Sequence, residues 1–96
     1  MRWIEMLRAQ VSPGEEDRLM QSLQALLEAD DSLEPPVIKA RIWRHTALTS
    51  DFCMVIHCED NLDQQVTQIR SHLGHLVKEM MCSWGLVSTD VWCELK

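Results

Sequence analysis

The chain has no transmembrane-length apolar run, no Cys-x-x-Cys pair, no internal repeat and no low-complexity segment, and it holds only three glycines and three prolines. That scarcity of Gly and Pro, set beside 46% hydrophobic residues, excludes a disordered tail and points to a folded globule. Ninety-six residues suit one domain, residues 1–96. Basic residues are also in short supply. Nine Lys and Arg against fifteen Asp and Glu give a formal charge of −6, which opposes attraction to phosphate backbones and anionic membranes. Neither nucleic acid nor membrane is expected as a partner. The opening segment, Met1 to Arg8, is broken by charge every few residues and cannot form a signal-peptide core, so a cytoplasmic location with reduced cysteines is expected. Cys53 and Cys58, five apart in an expected strand, point to opposite faces and can neither pair nor share a metal. The four cysteines therefore read as small apolar side chains.

What is present is a regular alternation of patterns. Residues 2–11 predict a strand with Trp3, Leu7, Ala9 and Val11 on one parity and Ile4 and Met6 on the other. Ser12-Pro13-Gly14-Glu15 reads as a helix start, with Ser12 as N-cap and Glu15 as its capping-box partner; Leu19, Leu23, Leu26 and Leu27 line the buried stripe as far as about Ala29. Pro35-Pro36 ends that unit. A second strand is expected from Val37 to about Thr46, with Ile38, Ala40 and Ile42 on one face and Lys39, Arg41, Trp43 and His45 on the other. A hairpin leads to a third strand, Asp51 to Glu59, where Phe52, Met54, Ile56 and Cys58 alternate with Cys53, Val55 and His57. Asp60-Asn61 then caps a long helix from Leu62 to Met80, whose stripe is Leu62, Val66, Ile69, Leu73, Leu76 and Met80. Trp84-Gly85 breaks from it into a last strand within Leu86 to Leu95, with Val91 and Cys93 opposed to Asp90, Trp92 and Glu94.

The order strand, helix, strand, strand, helix, strand predicts an α+β ferredoxin-like βαββαβ fold: a four-stranded antiparallel sheet with two helices on one face. The uncovered face would then hold Ile4, Met6, Arg8, Lys39, Arg41, Trp43, His45, Cys53, Val55, His57, Asp90, Trp92 and Glu94. Two tryptophans and several aliphatic groups are too apolar for idle exposure, and the charges too many for a dry interior. An RNA-binding sheet is excluded, because the third strand carries no aromatic-rich segment and the chain is acidic.

The element order, the length, and the tryptophans Trp43 and Trp92 on the second and fourth strands resemble the dimeric α/β-barrel superfamily, which includes the antibiotic-biosynthesis-monooxygenase-like proteins. The resemblance implies a homodimer packed sheet against sheet, with the enclosed space holding substrate or haem in the members that are enzymes. For this chain it implies a small molecule held between subunits, with Arg41, Trp43, His57 and Trp92 as ligand-binding residues and no cofactor. The alternative is a cofactor-independent monooxygenase-like enzyme acting on a small organic substrate, with His57 as the candidate for proton transfer. His72, His75 and Glu79 share one helix flank at three- and four-residue spacing and could offer ligands to a divalent metal. The His-Glu-x-x-His pattern is missing, a solvated helix flank with a His75–Glu79 pairing explains the same residues, and no metal is expected. Gly74 within the helix implies close packing against a neighbouring element.

Overall fold

The computed structural model describes residues 1–29, 34–61 and 68–95. The elements are β1 (Arg2–Val11), α1 (Glu16–Glu28), β2 (Val37–Arg44), β3 (Asp51–Glu59), α2 (His72–Cys82) and β4 (Gly85–Cys93). The four strands form one antiparallel sheet in the order β2-β3-β1-β4, the βαββαβ ferredoxin-like arrangement. β1 runs through the middle and alternates strictly, with Trp3, Glu5, Leu7, Ala9 and Val11 buried. That parity joins Phe52, Met54, Ile56 and Cys58 of β3 under Leu19 and Leu23 of α1 and Leu73, Val77 and Met81 of α2. The core lies there, between the helices and one face of the sheet.

β2 departs from simple alternation. Val37 pairs with Cys58, yet Lys39 pairs with His57, so one extra residue is accommodated as a β-bulge. Val37 takes the buried position ahead of Ala40, and Ile38, expected on the helix side, is turned out and 53% exposed.

Both helices begin later than their patterns suggest. Ser12 is not the N-cap of α1: the amide of Glu15 donates to the Ser12 carbonyl across a turn whose Gly14 has φ +91°, and the helix starts at Glu16. A left-handed residue cannot join a right-handed helix, so the capping box is spent on reversing the chain. The acidic first turn, Glu16 and Asp17, does sit at the positive helix end. The second helix runs from His72, not Leu62, and Ser71 is its N-cap, accepting from the Gly74 amide at 2.9 Å. Gln68 to Ser71 are non-helical although Ile69 is buried. Leu62 and Val66, and the helix that Asp60-Asn61 was expected to cap, lie outside the described residues. The inward line of α2 is Leu73, Val77 and Met81, with Leu76 and Met80 only partly covered. That rotation follows from Gly74, the smallest residue, being turned onto the sheet beside Leu73.

Candidate functional site

The open face is best described as rows running across the strands. One row is Lys39–His57–Ile4–Trp92, the next Arg41–Val55–Met6–Asp90, and the third Trp43–Cys53–Arg8–Ser88, each neighbour pair in register. Trp43 and Trp92 are each 60% exposed, on the two edge strands, while Ile4, Met6, Val55 and His57 in the middle are half-buried. Charge is divided by edge: Lys39 and Arg41 stand on β2, Asp90 and Glu94 at the far side on and just after β4.

The first row opens into a depression of about 610 Å³, lined by Ile4, Ile38, Lys39, His57, Trp92 and Glu94 among others. The β-bulge contributes here, since it delivers Ile38 to the rim. Arg2 and Glu59 close one side with an exposed ion pair at 3.4 Å. The His57 imidazole is pushed below its ordinary pKa, first by burial and then by the positive charges of Lys39 and Arg41. Its neutral form is favoured, so a ring nitrogen is free to accept a proton or a hydrogen bond. Cys53, in the third row, has its thiol pushed upward by burial against an opposing pull from Arg8.

A second polar cluster lies on the helix side, where sequence reasoning did not place one. Glu5 is wholly buried. Its carboxylate accepts from the Trp3 indole at 2.9 Å, from the Ser71 amide at 3.1 Å, from the Arg70 amide at 3.4 Å, from the Ser71 hydroxyl, and from the Cys58 thiol at 3.6 Å. The carboxylate therefore ties β1, β3 and the first turn of α2 together, where a helix N-terminus best receives negative charge. Burial, followed by the charge of Glu5, pushes the Cys58 thiol up to about 12. A Cβ on Gly74 would collide with Glu5 Oε1 and Ile69 Cγ2, which explains the glycine: its close packing is against β1 of the same chain. The signal was available, because Glu5 is the one charged residue on the parity shared by Trp3, Leu7, Ala9 and Val11.

No protein-family model matches the chain, and no curated protein does. Solved structures do match. A conserved protein of Methanosarcina mazei Go1 aligns with a TM-score of 0.73 at 16% identity, over 98% of this chain and 93% of that one. A crystal structure of an antibiotic biosynthesis monooxygenase aligns at 0.70 and 11% identity, covering 100% of both chains. SnoaB of Streptomyces nogalater, a cofactor-independent oxygenase, aligns in a variant form at 0.62 and 10% identity, over 99% of this chain and 94% of that one. The chain has the fold of the antibiotic-biosynthesis-monooxygenase-like proteins.

Within this monooxygenase-like fold the residues expected to bind a ligand separate into two groups. His57 and Trp92 share the large depression, and Lys39, expected on the open face, joins them. Arg41 lies in the next row, its guanidinium donating to its neighbour's carbonyl, Ala40 O, at 3.2 Å. Trp43 is four residues along β2 from Lys39, about 13 Å away, beside a smaller hollow of about 210 Å³ that it shares with Arg8, His45 and Cys53. His45 itself holds the hairpin, its Nδ1 accepting from the amides of Ala47 at 3.0 Å and Leu48 at 2.9 Å. His72, His75 and Glu79 all lie exposed on α2. Among the described residues no group of three or more His, Cys, Asp or Glu is arranged to hold a metal ion. No helix among them is long and apolar enough to cross a membrane.

Proposed function

We propose that this chain acts as a cytoplasmic homodimer, sheet face against sheet face, and binds a small organic molecule between the subunits at the Lys39, His57 and Trp92 end. The observation that carries the reading is the open face itself: Trp92, 60% exposed, and Ile38, 53% exposed, border a 610 Å³ depression, and Trp43, also 60% exposed, stands farther along the same face. Apolar walls with a few convergent polar groups are the usual make-up of a small-molecule site. Lys39 and Arg41 suit an anionic group on the ligand, and the Trp92 indole suits a flat apolar body. Trp43 then serves as an aromatic anchor of the dimer.

A second reading is favoured by the His57 imidazole. A neutral base in a half-apolar hollow could remove a proton from an acidic C–H or O–H of the ligand, the step that prepares an electron-rich organic molecule for oxygen. SnoaB, which shares the fold, is a cofactor-independent oxygenase. A ligand that raises the melting temperature and is recovered unchanged supports the binding role, whereas oxygen consumption lost in His57→Ala supports the enzyme.

Sedimentation of the wild type and of Trp43→Glu tests the assembly. The wild type is expected to be a dimer at micromolar concentration, and the variant a monomer with helical circular dichroism retained, because it sets a charge where an apolar anchor would be covered. A wild-type protein that stays monomeric overturns the reading.

A further inference from the structure

The two-fold packing of the proposed homodimer can be oriented from the charges on the open face, and the inference drawn here rests on that proposal. On β2 the open-face charges are Lys39 and Arg41, both positive; on β4 and just past it they are Asp90 and Glu94, both negative. β2 and β4 are opposite edges of the sheet, three strand spacings apart, so Arg41 and Asp90 of one chain are separated by about 14 Å. That is beyond a Debye length at physiological salt, which is about 8 Å, and neither side chain makes an ion pair among the described residues. Along these two rows the face is thus polarised from edge to edge, with Val55, Met6, Ile4 and His57 between; of the charges on the inner strands, Arg2 pairs with Glu59 and Arg8 lies one row further on, opposite Cys53.

Two aligned sheets can be related by an axis in the plane between them that runs either along the strands or across them. An axis across the strands lays β2 on the partner's β2, setting Arg41 near the partner's Arg41 and Asp90 near the partner's Asp90. Like charges then meet at both edges, which is a repulsive arrangement. An axis along the strands lays each row on the same row reversed. We infer that the subunits adopt this second arrangement, with Arg41 against the partner's Asp90 and Lys39 over the ring of the partner's Trp92. The middle of the row brings Val55 onto the partner's Met6, two apolar groups, and the Lys39 contact is a cation over an indole face.

This orientation has a consequence for the site. The depression of each subunit belongs to the row Lys39–His57–Ile4–Trp92, and that row faces its own copy across the axis. The two depressions merge into one chamber on the two-fold axis, and each Lys39 and His57 is closed over by the partner's Ile4 and the partner's Trp92. One subunit holds half a site.

The test is a charge-reversal cycle, Arg41→Asp, Asp90→Arg and the double variant, read by sedimentation equilibrium, with circular dichroism to confirm folding of these exposed positions. Each single change places like charges at both symmetric contacts and is expected to raise the dimer dissociation constant about tenfold or more; the double variant is expected to return close to wild type. Because the two residues are too far apart to interact within one chain, recovery in the double must come from the partner. The aromatic anion 8-anilinonaphthalene-1-sulfonate serves as the probe of the chamber, and its binding is expected to fall in the singles and return in the double. A dimeric wild type with the same dissociation constant in all three variants, or loss in the singles without recovery in the double, overturns the orientation while leaving the homodimer standing. Dye binding undiminished in a dissociated single variant overturns the shared chamber. A monomeric wild type overturns both the homodimer and the orientation.

Discussion

On the helix side of the sheet a single carboxylate, Glu5, is enclosed completely and receives five donors from its own chain. On the open side, Arg41 and Asp90 stand at opposite edges without an ion pair among the described residues. Both sides carry charge, but the buried charge is satisfied locally and the exposed charges of the two edges are sorted by sign, Lys39 and Arg41 on β2 against Asp90 and Glu94 on and just after β4. Burial explains the difference. An unpaired buried charge costs several kcal/mol, so a fold that keeps one must supply every partner itself. An exposed charge costs little, so its placement is free to answer to something outside the subunit.

The sharpest way to break the comparison is to remove the buried carboxylate. Glu5→Ala leaves the Trp3 indole N–H, the Ser71 hydroxyl and two backbone amides without their acceptor, and should lower unfolding free energy by about 3–5 kcal/mol. Urea denaturation measures the loss; a change comparable to that of an ordinary surface substitution would mean that Glu5 is not the pin described. Gly74→Ala comes next. In an open helix this change stabilises by about 1 kcal/mol, but here the added Cβ strikes Glu5 Oε1 and Ile69 Cγ2. The expected result is a net loss of about 2 kcal/mol from overpacking. A gain would show that α2 can shift off β1 at no cost.

On the open face the corresponding probe is pH, and the effect is smaller. The folded-state pKa of His57 lies below its ordinary value of 6.5. Between those two values the unfolded chain binds more protons than the folded one, so stability rises with pH through the window. The His57 contribution is fully present above the unfolded pKa and is lost as pH falls through the folded one. Denaturant midpoints between pH 5 and 7 should show that slope in the wild type and less of it in His57→Gln. An unchanged slope in the variant would assign the titration elsewhere.

How much of this was legible in the sequence depends on whether a feature is set by alternation or by a specific contact. Strand parity placed His57, Trp43 and Trp92 on the open face and Phe52, Met54 and Ile56 under the helices, because neighbouring residues of a strand must point opposite ways. Parity failed at Ile38, where the bulge adds one residue that no periodic pattern announces. Helix starts were misplaced for a related reason. Ser12-Pro13-Gly14 has the composition of a cap but is used as a turn, and the apolar spacing through Ile69 continues into Leu73 although the chain is non-helical between them. The Glu5 cluster was missed because its partners Arg70 and Ser71 lie far away in sequence, and only the fold brings them to the start of β1.

The Cys58 thiol, held against Glu5 with its pKa pushed up to about 12, has a consequence for chemical labelling. So high a pKa keeps the sulfur protonated near neutral pH, whereas the thiolate is the form that reacts with alkylating agents. Cys82 is exposed and Cys53 is half-buried, so neither shares that double protection by depth and by a neighbouring carboxylate. In the folded chain Cys58 is chemically silent, and it gains ordinary reactivity only when β1, β3 and α2 separate. The rate at which an alkylating agent reaches this one sulfur is therefore a clock for opening of the core, written into the chain without any added probe.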